Sequence, residues 1–372
     1  MKANSDIIII GAGIAGASLA SELCTSLNVL LLEREDHAGY HATGRSAAIF
    51  LPTYGPPAIQ ALTRASSNFF HAPPQGFCEP SLLSHRSMMM IAKLGDDGHI
   101  KDALATGMSE ITISKAQERI PPLNRDLYTR AFVDDDTADI EVDVLLHAHL
   151  KKLKQNGGTL LRGAGVTGIK KTAGLWTVQC TDQNYTSPVI VNAAGAWADS
   201  IAAMAGLPEL SLEPKRRSAA LIDVSDKWDV SNWPLTVGAG DTFYFRPMGN
   251  KLMISPADET VTEPHDAWAD DMALAQAMDL FGKATGYDVS HVEHTWAGLR
   301  TFAPDGELVI GYDSKASGFF WLAGQGGYGI QTSPAVSRLA GALICQQEIP
   351  DNIAKFGVKA PMLSPDRFKD FP

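Results

Sequence analysis

Cysteine is scarce: four residues in a chain of 372. Cys24, Cys78, Cys180 and Cys345 lie far apart, with no C-x-x-C pair and no spacing that suits zinc. A disulfide framework and a sequence-coded metal site are thereby excluded, and no metal is expected. No run of about 18 apolar residues occurs, which excludes a membrane-spanning helix. The N-terminus carries a single Lys2 and lacks the apolar core and small-residue cleavage site of an export signal, so a cytoplasmic location is expected. Basic residues are outnumbered, 31 Lys and Arg against 42 Asp and Glu, for a net charge of -11. No basic patch points to nucleic acid or an anionic membrane. Repeats, low-complexity tracts and linker runs are missing as well. What remains is an ordinary globular composition, 45% hydrophobic and 20% charged, long enough for two domains and suited to a small-molecule partner.

The most informative stretch is DIIIIGAGIAGASLA, from Asp6 to Ala20. Four isoleucines form a buried parallel strand that runs into Gly11, Gly13 and Gly16, the G-x-G-x-x-G turn of a dinucleotide site. Gly11 permits the turn, Gly13 admits a pyrophosphate, and Gly16 lets the next helix pack on the strand. That helix, from about Ile14, points its N-H groups and positive dipole end at the phosphates. A second strand, Asn28 to Leu32, ends at Glu33, about 20 residues on, where a carboxylate accepts from a ribose 2'-hydroxyl. These residues predict FAD or NAD rather than NADP.

Downstream, Thr43, Gly44, Arg45 and Ser46 read as a second helix start. They either offer N-H groups and a cation to the ligand or simply cap a helix. Ala58 to Phe70 is an amphipathic helix, Arg86 to Ala92 a strand whose methionine run reads as core, and Val142 to Gln155 a helix. Strands follow at Thr159 to Leu161, Val166 to Lys171, Leu175 to Cys180 and Val189 to Asn192, the last running into the small residues Ala193 to Ala196. From Lys215 to Thr301 the chain is strand-rich, predicting a separate antiparallel layer covered by a helix from Trp268 to Ala284. Strands Leu308 to Ile310 and Phe319 to Ala323 then lead through Gly324 to Gly329 into a closing helix, Ser333 to Ile344. This last glycine turn makes the nucleotide domain discontinuous. The expected fold is α/β: a Rossmann-like dinucleotide-binding domain (residues 1–85, 140–214 and 302–372) and an antiparallel-sheet substrate domain (residues 86–139 and 215–301).

The motifs IGAGIAGAS, LEREDHAGYHATGRSAA, VNAAGAW, PKRRSA, EHTWAGLRTF and GFFWLAGQGGYGIQTS cover nearly the whole chain. In that order they resemble the D-amino-acid oxidase superfamily of FAD-dependent oxidoreductases, and within it the bacterial D-arginine dehydrogenases most. The resemblance implies FAD. It places Gly11, Gly13, Ile14 and Gly16 at the pyrophosphate, Glu33 and Arg34 at the adenosine, and the Val166 backbone at the adenine. Gly44, Arg45, Ser46 and Ala48 border the phosphates and ring, and Ala194, Gly195 and Trp197 line the cofactor. Gly329, Ile330, Gln331 and Thr332 close on the pyrimidine end, near Arg300. For the substrate it implies a carboxylate grip by Arg217 and Arg300, aided by the hydroxyls of Tyr54 and Tyr244, with the Gly327 carbonyl accepting the amine. Without the resemblance, Arg217 in the run Lys215-Arg216-Arg217 reads as a solvated charge, whereas Arg300 is flanked by apolar residues. Guanidinium suits the grip because its planar fork fixes a carboxylate at two points.

Met88 and Ile49 stand where arginine-preferring relatives have a glutamate and a histidine. With Leu51 they imply an apolar side-chain pocket, unless an acid such as Glu79 reaches it from another loop. No cysteine falls in GLRTFAPDGELVIG, where some relatives attach FAD, so non-covalent FAD is expected. His41, in Y-H-x-x-G, is similar to the histidine attachment site of dimethylglycine dehydrogenases. The implied reaction is hydride transfer from the Cα of a D-amino acid to flavin N5, the imino acid then hydrolysing to a 2-oxo acid. Orientation supplies the catalysis, with Tyr54 and Tyr244 as orienting groups. The alternatives are a glycine or sarcosine type of secondary-amine oxidase and a flavin-binding protein without turnover. The electron acceptor is left open.

Overall fold

The computed structural model describes residues 5–368; Lys2 and the outer ends of the expected segments 1–85 and 302–372 lie outside them. The first strand, Ile7–Ile10, is fully buried because it lies inside a six-stranded sheet covered on both faces. It pairs in parallel with Val29–Leu32 on one side and Val189–Asn192 on the other. Thr159–Leu161 extends the sheet beyond the former and Phe319–Ala323 beyond the latter, while Val309–Tyr312 closes one edge antiparallel. The chain thus leaves the first strand at the point where connections diverge to either side, which is where open α/β sheets bind ligands. Helices Ile14–Leu23 and Gly329–Ile344 pack against this sheet and against each other. Gly16 meets the backbone of Gly11 so closely that any Cβ would overlap it, so its role here is helix-to-strand packing.

The second large unit is a nine-stranded sheet. Its spine is Glu213–Ile222, flanked over its whole length by His294–Phe302. Lys251–Ser255, Tyr244–Met248 and Leu235–Gly238 follow, and then Met88–Ala92, Arg130–Asp134 and Ser109–Ile111. The layer is not wholly antiparallel as expected, because Leu235–Gly238 runs parallel to Met88–Ala92. Helix Asp271–Thr285 covers one face through Leu274, Ala277 and Phe281. Register decides which side chains share the other face. Arg217 stands opposite Gly298 and Arg300 opposite Lys215, so with a period of two both arginines project from the same face. Tyr244 pairs with both Val237 and Ser255, and Val237 pairs with Met90, which carries that face across to the methionine strand.

Three local expectations are corrected. Thr43 to Ser46 do not begin a helix; Tyr40 to Arg45 form turns that lead into the short strand Ile49–Phe50. The closing helix starts at Gly329 rather than Ser333, because Thr332 N donates to Tyr328 O at 3.1 Å and Pro334 is accommodated inside the helix. The covering helix starts at Asp271, where the Asp270 side chain accepts from Ala273 N at 2.9 Å, and Trp268 lies outside it.

Candidate active site

A cavity of about 470 Å³ runs from the glycine turn to the face of the nine-stranded sheet. At one end stand Glu33, Arg34, Val166 and Trp197; in the middle Gly11, Gly13, Ile14, Arg45, Ser46, Ala194 and Gly195; at the far end Arg217, Tyr244, Arg300, Gly327, Gly329 and Ile330. The first end is built by the second strand. Glu33 is 7% exposed, and its two oxygens accept from Ala12 N at 2.8 Å and Glu35 N at 3.0 Å. Each oxygen keeps a lone pair for a hydroxyl. Arg34 lies over the Trp197 ring, its guanidinium carbon 4.5 Å from the centroid.

In the middle, Thr43 Oγ1 accepts from Ile14 N at 3.0 Å, which caps one of the first N-H groups of the helix. Those of Ala15 and Gly16 have no acceptor within the helix, so the anion-binding end is kept. Arg45 does not offer a free cation. Its guanidinium donates to Ala267 O and Ala297 O at 3.0 Å each, to Tyr40 O at 3.2 Å and to Asp266 at 2.5 Å, and so ties its own turn to the nine-stranded sheet and to the loop at Asp266 and Ala267. His41 Nε2 donates to Glu35 Oε1 at 2.9 Å and the ring packs on Trp197 with centroids 4.6 Å apart, which puts it at the Glu33 end of the cavity rather than beside Arg300.

At the far end the register brings two cations and a phenol together. Burial raises the Tyr244 hydroxyl, but Arg300 and Arg217 more than offset this and leave it below its ordinary value. Burial lowers Arg300, and Tyr244 and Tyr54 outweigh it, Tyr54 also by a hydrogen bond. Among the described residues no carboxylate lies within ion-pair distance of Arg300. Tyr54 packs edge-on to Tyr328 at 5.0 Å, and the Tyr328 hydroxyl is pushed up to about 12, chiefly by burial. A Cβ on Gly327 would come within 3.2 Å of the Arg300 guanidinium, so the absence of a side chain there lets the glycine loop lie against it.

Other predicted residues stand just outside the lining. Met88, Ile49 and Tyr244 pack on one apolar cluster with Met90, Leu235 and Val237, and of the three only Tyr244 lines the cavity. Leu51 is buried and its N-H donates to Gln331 Oε1 at 3.0 Å. Thr332 is buried with its hydroxyl on Tyr328 O, Gly44 sits in the turn before Ser46, and Ala48, just before strand Ile49–Phe50, accepts from Ile140 N at 3.1 Å; none of the three lines the cavity. Glu79 is exposed and does not reach the cavity. Residues not singled out from the sequence also line it, among them Ala47, Gly165, Thr301 and Gln325. Thr301 Oγ1, Gln325 Nε2 and, next to the cavity, Gln331 Nε2 are buried polar atoms without a protein partner. Such groups call for a ligand. Donors at the Gln331 end, apolar width in the middle and a buried carboxylate at the Glu33 end fit an extended flavin dinucleotide. Among the described residues no three His, Cys, Asp or Glu side chains are grouped to hold a metal, and no helix is long and apolar enough to cross a membrane.

Comparison with known proteins agrees with this geometry. The model of a family described as FAD dependent oxidoreductase matches residues 6–343. The chain is 24% identical over 349 residues to a glycerol 3-phosphate dehydrogenase of Caloramator mitchellensis, covering 89% of this chain and 72% of that one. It is 25% identical over 370 residues to a glycine oxidase of Pseudomonas aeruginosa, covering 92% and 95%. The fold superposes on L-alpha-glycerophosphate oxidase of Mycoplasma pneumoniae with FAD bound, with a TM-score of 0.80 at 16% identity over 92% of this chain and 95% of that one. These relatives do not carry the narrower likeness to D-arginine dehydrogenases.

Proposed function

The chain belongs to the FAD-dependent oxidoreductase family matched over residues 6–343, and from that premise we propose that it oxidises D-amino acids with apolar side chains to imino acids, which water converts to 2-oxo acids and ammonia. The observation that carries this reading is Arg300: a guanidinium facing the cavity with no carboxylate partner, on the same sheet face as Arg217 and Tyr244. A cation held there wants an anion, and a planar fork selects a carboxylate.

Bound FAD would supply the hydride acceptor; the protein supplies orientation. Arg300 and Arg217 fix the carboxylate, the Tyr54 and Tyr244 hydroxyls hold its position, and the Gly327 carbonyl accepts from the amine. Two of these contacts with the carboxylate and one with the amine leave Cα a single orientation, which is what proximity catalysis requires. Ile49 and Met88, packed on the same apolar cluster as Tyr244, offer no anion to an arginine side chain at that end. Retained FAD is non-covalent on this reading, since His41 is engaged by Glu35 and Trp197. The relationship to a glycine oxidase supports a second reading, oxidation of glycine or an N-methyl amine by the same groups. A kcat/KM profile over D-amino acids tests the proposal: D-leucine and D-methionine should rank well above D-arginine and D-lysine, and the reverse order refutes the apolar pocket.

A further inference from the structure

We infer that Glu259 is a specificity-determining residue, a resident carboxylate that holds Arg217 until a substrate carboxylate replaces it and that limits the site to ligands with one negative charge. The inference rests on the carboxylate grip proposed above. Glu259 Oε1 accepts from Arg217 Nη2 at 2.7 Å, while Arg217 Nε donates to Asp258 O at 2.9 Å. The backbone contact fixes the arginine stem. The side-chain contact is the exchangeable one, because the Glu259 side chain is 50% exposed and the Arg217 side chain only 14%. Glu259 also lies close enough to Arg300 and Tyr328 to bear on both.

The geometry of the loop explains how the acid reaches the site. After strand Lys251–Ser255 the chain turns through Ala257 at a φ of 54°, which presents the next two side chains toward the Arg217 strand. Asp258 is committed elsewhere: it accepts from Ser218 N at 2.6 Å, from the Ser218 hydroxyl at 2.8 Å and from Arg216 at 3.4 Å. Lys215, the next cation on the same face, is paired with Glu213 at 3.5 Å. Charge at the end of the cavity is therefore set by Arg217, Arg300 and Glu259. Two guanidinium charges less one carboxylate leave one positive charge. A monocarboxylate neutralises it, whereas a dicarboxylate or a phosphate ester would bring a second negative charge against Glu259. Relatives named for glycerol 3-phosphate act on a phosphate ester, and this carboxylate argues that the present chain does not.

Equilibrium binding of propionate and malonate to the FAD-loaded enzyme, followed by the change in flavin absorbance, tests the inference in the parent, in Glu259→Gln and in Arg217→Met. Removing a half-exposed ion-pair competitor, worth up to ~1 kcal/mol, should tighten propionate about five-fold in Glu259→Gln. Malonate should tighten by a larger factor than propionate, because it also loses a like-charge neighbour. Arg217→Met should weaken propionate. Propionate unchanged or weakened in Glu259→Gln, or both ligands tightened equally, overturns the role of Glu259. If Arg217→Met weakens propionate in that case, the carboxylate grip stands and the exchange alone falls. If Arg217→Met binds propionate like the parent, the grip is misplaced and the inference falls with it.

Discussion

Arg217 stands opposite Gly298 and Arg300 opposite Lys215 in one antiparallel strand pair, so the two guanidinium groups leave the same sheet face two residues apart in register. That diagonal spacing, roughly 7 to 8 Å between backbones, suits two long side chains converging on one carboxylate. Arg300→Met and Arg217→Met should each lose at least about 2 kcal/mol of transition-state stabilisation, the value of a charge-assisted hydrogen bond. In kcat/KM that is roughly a 30-fold loss with flavin content unchanged. Normal turnover at low substrate concentration in either variant would show that arginine to be misassigned.

Gly327 is tested by a smaller change. A methyl group there would meet the Arg300 guanidinium at 3.2 Å, so Gly327→Ala must displace either the loop or the arginine. Overpacking of this kind costs on the order of 1 kcal/mol or more. KM should rise at least about five-fold while bound FAD is retained. An unchanged KM would place the substrate amine elsewhere.

The binding mode of FAD is read by acid precipitation. None of the four cysteines lines the cavity, and His41 is held by Glu35 and Trp197, so no candidate for attachment stands beside the Arg300 end. The supernatant should be yellow and contain FAD. Colour left in the pellet would show covalent attachment.

His149 links the fold to pH. It is buried, its Nδ1 shares a 2.7 Å hydrogen bond with Ser21, and burial followed by Lys152 lowers its pKa from 6.5 to about 3. The folded state thus binds its proton less readily than the unfolded state does. Stability is fully present above the unfolded value and declines as pH falls from about 6.5 toward 3. At pH 5 this one group should already account for roughly 2 kcal/mol. Thermal melts at pH 7 and pH 5 should show a smaller drop in Tm for His149→Gln than for the parent, and equal drops would mean that the imidazole is not the group responsible.

The sequence made legible those features that depend on neighbours along the chain. Ile7–Ile10, the glycine turn and the helix from Ile14 are adjacent, and their chemistry is local. The long-range partners were legible only in part. The pairing of Leu235–Gly238 with Met88–Ala92 is parallel and joins segments far apart in the chain, and nothing in either strand specifies its direction. Arg45 looked free because its acceptors, Ala267 O and Ala297 O, are backbone atoms of segments more than 200 residues away in the chain. Glu79, the acid considered for the side-chain pocket, is exposed and away from the cavity, whereas Glu259, which the sequence did not single out, pairs with Arg217 because an irregular turn through Ala257 sets the aim of its loop. Met88 and Ile49 were expected in the wall of the substrate pocket; they pack instead on an apolar cluster beside the cavity, a contact with segments distant in the chain.

The central claim is that the two arginines orient an amino acid for oxidation by bound FAD, and anaerobic mixing tests it most directly. The FAD-loaded enzyme is mixed without oxygen with D-leucine, L-leucine, sarcosine and glycerol 3-phosphate in turn, and the flavin absorbance near 450 nm, a general property of oxidised flavin, is followed to completion. D-leucine should bleach the flavin, L-leucine and glycerol 3-phosphate should not, and Arg300→Met should slow the bleaching at least about 30-fold. Bleaching by glycerol 3-phosphate or by sarcosine alone, or no bleaching by any of the four, would contradict it.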